Sequence, residues 1–584
     1  MTYKNPNSII KKSVYITIKT YKKRKKGIKI RLRSIGFLLI LAAELSYAIR
    51  PPSNEINVEK RREEQERLRY IQEISKSKIQ RKNELNEIIE PAEEKGSEIK
   101  KIIIKGNSVV SSFDLKIIAK KYIGKKGGAN IINLLKEIEN TYLKRGYVAA
   151  RVKIDMENSN FKEGMAAYKI LEGNIEKIAF KKPVLYEKEK ITFSFPCKEG
   201  DVVNIKDLDQ GIDNLNSVSS NNAKFNLIPG ENLGGTIIEI ENKKSKRVSG
   251  NINYNNLGQS STGEERGKVS LTFDDILGFN DSLTGVYQKK LGRNNDERDS
   301  ENFSFYYKVP YKYWEFMVSK DQSEYLSTIH ALNTKYKSDG ISKNINYGVR
   351  RVINRNDESK TDVGITLTNK ETKNYIEDIK LITSSRNLSI LKFDLNTQRK
   401  LWNGILYGNI GYHRGLDRFR AESDHDKEKD VPKAQFTKYT MDLNWYKPFQ
   451  IKNQNFTYRF GFSGQYSDDI LYSSEKLGIG DDTTVRGFKE NSIMGDKGFY
   501  IRNELSCSYK IFEPFIAYDT GRVKDVYKDE FYRKNGNEMS GISIGLRTYY
   551  KGFVGSITYS KPLSAPSYIE KNPQEVYISI SYSF

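Results

Sequence analysis

The residues in this chain that could do chemistry are few, and their arrangement points away from catalysis. Only three histidines occur in 584 residues, none paired at ligand spacing, so a His-based metal or acid–base centre is not expected. Cys197 and Cys507 stand apart, with no CxxC spacing and no disulfide framework. No GxxxxGK[ST] segment offers an ATP site, and no nucleophile–base–acid set is visible. No catalytic residue, metal or cofactor is therefore assigned. What remains is an ionic constellation late in the chain. Gly478–Phe488 reads GIGDDTTVRGF, with Val485, Arg486, Gly487 and Phe488 at its end. It lies in a Gly-rich loop, roughly Ser473–Lys497, between strand-like segments. In Gly498–Tyr509 (GFYIRNELSCSY), Arg502 and Glu504 fall opposite Phe499, Ile501, Leu505, Cys507 and Tyr509. In Phe515–Gly521 (FIAYDTG), Asp519 falls opposite Ile516 and Tyr518. One arginine and two carboxylates on inward faces can fix a loop by charge-assisted hydrogen bonds. That is positioning, not bond breaking.

The elements that must hold these residues are strands. From Gly250 onward apolar residues alternate, as at Phe303, Phe305, Tyr307 and Val309, or at Phe456, Tyr458, Phe460 and Phe462. The last run is Val576, Ile578, Ile580, Tyr582 and Phe584, with Tyr577 and three serines between. Charged loops such as Leu291–Glu301 and Leu416–Lys433 separate the runs. The chain has 38 Tyr and 26 Phe, yet its mean hydropathy is −0.66. Many aromatics in a hydrophilic chain suit a transmembrane barrel with a polar lumen, an apolar exterior and aromatic girdles. At about 10 residues per strand plus loops, about 16 strands fit residues 246–584. A soluble sandwich also alternates, but a terminal aromatic, Phe584 with Tyr582, fits a barrel C-terminal signal better.

Residues 1–48 hold twelve Lys/Arg and one acid, Glu44. A basic block (Lys22–Arg33), an apolar run (Ile35–Ala43) and Ser46-Tyr47-Ala48 predict a secretory signal cut after Ala48. The run is too short to span a bilayer as a helix, and no later segment does so, so strands must insert. The net charge of +24 is otherwise spread among 74 acids, which does not favour nucleic-acid binding. Residues 49–96 contain a very polar predicted helix, Glu55–Glu90, ended by Pro91 and Gly96. It reads either as a solvated linker or as a removable plug in an aqueous pore. Residues 97–173 then follow the order β-α-α-β-β, and 174–245 repeat it with a weakly signalled first helix near Glu187–Phe195. In the first module the expected elements include helices Ser112–Tyr122 and Ile131–Leu143 and a strand Ala149–Ile154. The first helix is amphipathic through Phe113, Leu115, Ile117 and Ile118.

Tyr142–Ile154 (YLKRGYVAARVKI) carries a Gly-Tyr after the second helix, and the two modules resemble POTRA domains. Signal, polar helix, two such modules, alternating strands, VRGF, RNEL, YDTG and a terminal Phe together resemble the two-partner secretion transporter family (TpsB; haemolysin secretion/activation proteins of ShlB/FhaC/HecB type). The resemblance implies a mainly β fold, a transmembrane barrel in the outer membrane with POTRA modules in the periplasm. It implies a pore that recognises and translocates, and so activates, one cognate exoprotein, an adhesin or haemolysin. In that family the loop arginine, here Arg486, pairs with the strand aspartate, here Asp519; the inward face of the preceding strand offers Glu504 as a second carboxylate for it to meet. The POTRA modules and lumen would contact the cargo. The barrel would be a monomer in outer-membrane lipid, inserted by the barrel-assembly machinery. A barrel-assembly insertase of the same superfamily is the alternative. A passive porin or surface adhesin leaves the two modules unexplained.

Overall fold

The computed structural model describes residues 96–584 apart from 293–296, 332–333, 357, 383, 527–535 and 570–573. The expected signal (1–48) and the polar helix (Glu55–Glu90) lie outside the described residues.

The first module contains β1 (Lys101–Lys105), α1 (Ser112–Lys120), α2 (Gly128–Arg145), β2 (Arg151–Ile154) and β3 (Met165–Leu171), in sheet order β1-β3-β2. Ser111 starts α1 by accepting from the Phe113 amide. Gly146 stops α2 in left-handed backbone at φ 99°, a conformation that glycine adopts without steric cost. Three expectations shift here, the first being that α2 extends beyond Ile131–Leu143 at both ends, from Gly128 to Arg145. Helix α1 ends at Lys120, not Tyr122. Strand β2 begins at Arg151, because Val148 and Ala149 pack into the core of the next module instead. Nor is α1 amphipathic in the simple sense. Leu115, Ile118 and Ala119 form its buried stripe, while Phe113 and Ile117, one turn apart on the other side, are 70% and 47% exposed.

The second module repeats the order: β4 (Asn174–Phe180), α3 (Glu187–Ser194), α4 (Ile205–Leu215), β5 (Ala223–Pro229) and β6 (Gly235–Asn242), with sheet order β4-β6-β5. Its core gathers Ile175, Phe195, Leu208, Leu215, Ile238 and Ile240. Helix α3 turns part of itself toward the strands that follow. Lys190 Nζ meets Asp275 Oδ1 at 2.5 Å, with both side chains buried. Phe193 stacks on Phe279 at 4.3 Å. Asn280 donates to Ser194 Oγ at 2.8 Å. From α4, Asn214 donates to the Lys312 carbonyl at 2.6 Å, and Asp213 accepts from Arg355 at 2.6 Å.

Sixteen antiparallel strands then close a barrel. They are β7 (Val248–Asn255), β8 (Arg266–Asp274), β9 (Ser282–Lys290), β10 (Asp299–Tyr311), β11 (Trp314–Ala331), β12 (Thr334–Arg355) and β13 (Ser359–Ile376), then, past a two-residue appendage β14 (Ile379–Lys380), β15 (Arg386–Leu401), β16 (Gly404–Leu416), β17 (Thr437–Ile451) and β18 (Gln454–Tyr466). A loop containing the short ribbon β19 (Leu477–Ile479) and β20 (Ile493–Gly495) comes next. The ring ends with β21 (Lys497–Ser508), β22 (Phe512–Lys524), β23 (Glu538–Tyr550), β24 (Phe553–Ser564) and β25 (Glu575–Ser583), which pairs back onto β7. The first strand opens at Val248, just before the alternation read from Gly250. Charged Asp299–Glu301 is strand rather than loop, since strands continue past the apolar band where polar side chains suit them. Tyr509 lies one residue past the end of β21, in an antiparallel bridge with Phe512 that closes the hairpin to β22.

The barrel is inside out relative to a soluble sheet protein. Phe316, Tyr347, Ile365, Phe393, Ile410 and Ile544 face outward and are exposed. Asp362, Asp394, Asn396, Asn409, Glu504 and Asp519 face inward and are buried. An apolar exterior of this extent belongs in lipid. Closure leaves no strand edge, so backbone groups pair without water.

Candidate functional site: an arginine cluster in the lumen

The loop bearing Arg486 runs from Ser467 to Asp496, longer than the Ser473–Lys497 expected, and it folds back into the bore. A local turn aims its tip. The Asp481 carboxylate accepts from the Thr483 amide at 2.8 Å and the Thr484 amide at 2.7 Å, and from both hydroxyls. The Thr484 hydroxyl in turn accepts from the Gly480 amide at 2.9 Å. Past this turn, Val485 and Phe488 enter an apolar cluster with Leu477, Ile479, Ile493 and Val523. Gly487 has φ 104°, and a Cβ there would lie 3.0 Å from the Pro562 nitrogen of β24, so a side chain would be strained by the backbone and crowded by the wall. Its amide donates to the Tyr577 hydroxyl at 3.1 Å.

Arg486 points the other way, into charge. Its Nε lies 2.5 Å from Asp519 Oδ2 and its Nη2 lies 2.8 Å from Oδ1, a bidentate pair. Nη1 donates to Glu504 Oε2 at 3.0 Å. The Arg486 amide adds a contact to Asp519 at 3.2 Å. The three residues are 5%, 0% and 7% exposed respectively. The structure thus brings together all three residues that the sequence singled out. It also adds some that the sequence reading missed. Arg547 on β23 reaches Glu504 Oε1 at 2.7 Å, and Arg459 on β18 reaches it at 3.1 Å. Arg459 then meets Glu513 at 2.7 Å. Arg502, which the sequence placed inward, donates to the Thr483 and Asp482 carbonyls of the loop at 2.5 and 3.2 Å. Arg459 and Arg547 do alternate with outward residues, which signals an inward face. Their meeting at Glu504 depends on register across four strands, which alternation alone does not give. Ala517 sits beside Glu504 in the ladder and is buried, a small side chain where charged ones converge.

Four arginines facing three carboxylates in a buried bore make a cluster in which each charge has opposite partners. Such a network adds little net stability over apolar packing, yet losing Arg486 leaves the buried Asp519 carboxylate without its bidentate partner. What such an arrangement can do is mechanical: charge-assisted hydrogen bonds can hold a loop in place. Among the described residues no group of three His, Cys, Asp or Glu side chains could hold a metal. Tyr582 and Phe584 lie elsewhere, exposed on the outer face where β25 meets β7; Tyr582 packs on Phe553 at 4.5 Å. Phe584 exchanges backbone hydrogen bonds with Gly250, both at 3.0 Å. Cys197 and Cys507 are free and lie in different parts of the fold.

Comparison with known proteins agrees with this architecture. POTRA family models match residues 97–173, in the ShlB-type form, and 174–229. Outer membrane transporter CdiB of Dickeya dadantii (strain 3937) is 26% identical, over 94% of this chain and 98% of its own length. Hemolysin transporter protein ShlB of Serratia marcescens is 26% identical, over 83% of this chain and 85% of its own. The solved structure of CdiB from Escherichia coli shares the fold with a TM-score of 0.83 at 24% identity, covering 91% of this chain and 99% of that one. The model for haemolysin secretion/activation proteins matches residues 234–548, more than half of the chain and all of the lumenal arginine cluster. By that match the chain belongs to the haemolysin secretion/activation protein family ShlB/FhaC/HecB.

Proposed function

We propose that this protein is the outer-membrane pore of a two-partner secretion pair, carrying one cognate exoprotein from periplasm to cell surface and so activating it. The two modules form the periplasmic entrance and the polar bore is the route. Among the described residues the first module leaves β1 and β2 as sheet edges, and edges of this kind take up extended polypeptide by strand addition. The chain acts as a conduit without covalent chemistry, and folding of the cargo outside prevents its return. In this reading Arg486, Asp519 and Glu504 lock the resting position of the long loop. The observation that carries the proposal is the bidentate Arg486–Asp519 pair, buried inside a lumen otherwise lined with polar side chains.

The test is Arg486→Ala in the cells that make this protein, with the large proteins released into the medium as the readout. The barrel is expected to reach the outer membrane at normal levels, because its exterior is untouched. Export into the medium falls about tenfold or more, as the loss of one member of a buried ion cluster predicts. Normal export at normal barrel levels rejects the role of the lock. Loss of unrelated outer-membrane barrels on depletion of this protein would favour assembly over secretion.

A further inference from the structure

A second ion cluster holds the same loop at a different place. Glu475 closes a short 3-10 turn, Ser473–Glu475, in the neck of the loop just before β19. Its side chain is 4% exposed. Lys370 Nζ on β13 lies 2.8 Å from Oε1, and Lys438 Nζ on β17 lies 2.9 Å from Oε2. The Glu475 carbonyl accepts from Lys438 at 3.1 Å and from Gln465 on β18 at 2.9 Å. Backbone and side chain are therefore both bound. Lys392 and His413, on β15 and β16, add to the same electrostatic neighbourhood. Burial alone would push the Glu475 carboxyl up, but Lys370 and Lys438 outweigh it and hold it at about 2. The group stays charged at any pH a cell surface ordinarily meets.

The placement of the two clusters is what matters. Through Glu475 the neck is tied at β13, β17 and β18, while the next residue, Lys476, pairs with Asp525 just past β22 at 2.6 Å. The tip is tied at β21 and β22 through Arg486, at β25 through Tyr577, and to the loop after β7 by Lys489–Glu264 at 2.6 Å. The Ser260 amide also donates to Glu490 at 2.9 Å. In the ring, β13 and β25 are nearly opposite. The loop's outermost anchors, β13 at the neck and β25 at the tip, therefore stand on two sides of the bore.

We propose that Glu475, with Lys370 and Lys438, is a second and separate tie that straps the loop across the lumen at rest, and that the bore opens fully only when this tie also lets go. The proposal rests on the reading of the bore as the transport route. It makes Glu475 a positioning residue. Its two lysines are each only 10% exposed, so withdrawal of the neck leaves them facing each other without the carboxylate.

The test uses the whole protein in planar lipid bilayers, with no exported partner present. It is therefore separate from the export reading, which Arg486→Ala addresses. Three variants are compared with the wild type: Glu475→Gln, Glu475→Lys, and Glu475→Lys combined with Lys370→Glu and Lys438→Glu. Heat-modifiable gel mobility shows that each barrel is folded. Glu475→Lys is expected to raise the frequency of full openings at least about tenfold, since it replaces a buried ion pair by a third cation among lysines. Glu475→Gln, which keeps the shape, raises it less and serves if the lysine variant fails to fold. The charge-swapped variant returns toward wild-type gating, which a merely structural role would not produce. Wild-type opening in folded Glu475→Gln and Glu475→Lys barrels overturns the proposal. So does a leak that the charge swap leaves unchanged.

Discussion

The two modules share an element order and differ in what their first helix rests on. Helix α1 of the first module packs Leu115 and Ile118 onto its own core and leaves Phe113 and Ile117 in the open. Helix α3 of the second module buries Lys190 and Ser194, and places Phe193 on Phe279 of the barrel turn. One helix belongs wholly to its module; the other is shared with the barrel. The joints differ likewise. The first module is held together internally, by Glu172, whose carboxylate accepts from the Ser108 amide at 2.7 Å, the Val109 amide at 3.1 Å and the Tyr142 hydroxyl at 2.7 Å. The second is held outward, by charged and polar contacts to the turns between β8 and β9 and between β10 and β11. A repeated fold has thus been put to two uses, and polar burial marks which is which.

The largest expected effect comes from breaking the shared helix. Asp275 has φ 58°, a left-handed conformation that asparagine also tolerates, so Asp275→Asn changes charge with little backbone strain. It leaves the Lys190 ammonium buried without its carboxylate, while Arg247, 3.2 Å from the same carboxylate, is half-exposed and can turn to water. The loss should be about 3 kcal/mol in docking of α3. Hydrogen exchange on the whole protein should show faster exchange across residues 186–195 and the turn 275–281, with amides of the first module unchanged. Equal loss in both modules would contradict the contrast.

Much of this was readable beforehand, for definite reasons. Period-two alternation reports a sheet with unlike faces, so Phe456–Phe462 announces a barrel wall without any knowledge of its neighbours. Glu504 and Asp519 each stood on an inward strand position, and Arg486, in the loop before them, was joined to Asp519 through the family resemblance that VRGF and YDTG carry. Helix α3 was only weakly signalled. Tyr186 before it caps nothing with its side chain, and its buried residues include a lysine and a serine whose partners lie far along the chain. Phe113 and Ile117 were assigned to the apolar face because apolar residues on a short helix do not announce which stripe meets the core. Glu475 went unnoticed because it is one acid in a loop without a motif; its meaning comes from Lys370 and Lys438, brought to it only by barrel closure.

A smaller effect is expected inside the first module. Glu172→Ala leaves the Tyr142 hydroxyl and two amides without their acceptor, at a cost of about 2 kcal/mol. The amides of Ser108 and Val109 report it directly, exchanging roughly 30-fold faster. Burial pushes the Glu172 carboxyl up, but hydrogen bonds from Ser108, Tyr142 and Val109 outweigh it and hold the group below its ordinary value. A depressed carboxyl stabilises the fold above its unfolded pKa of about 4.3 and loses that contribution as pH falls through the folded value. Wild-type protection at Ser108 and Val109 should therefore hold at pH 5 and decline below about 4, whereas Glu172→Ala shows no such decline.

The smallest effect sharpens the comparison most. Phe113 is 70% exposed, so Phe113→Ser should change the stability of the first module by no more than about 0.5 kcal/mol. Leu115→Ala, two residues on and 2% exposed, should cost about 3 kcal/mol through the cavity it opens. Exchange rates at the α1 amides in the full-length protein measure both. If Phe113→Ser instead matched Leu115→Ala, the outer stripe of α1 would be covered in solution, and the first helix of each module would have a docking partner after all. A near-silent Phe113→Ser keeps the two modules distinct: one helix is anchored to the barrel, while the other presents an aromatic and an isoleucine to the periplasm with no part of the described structure over them.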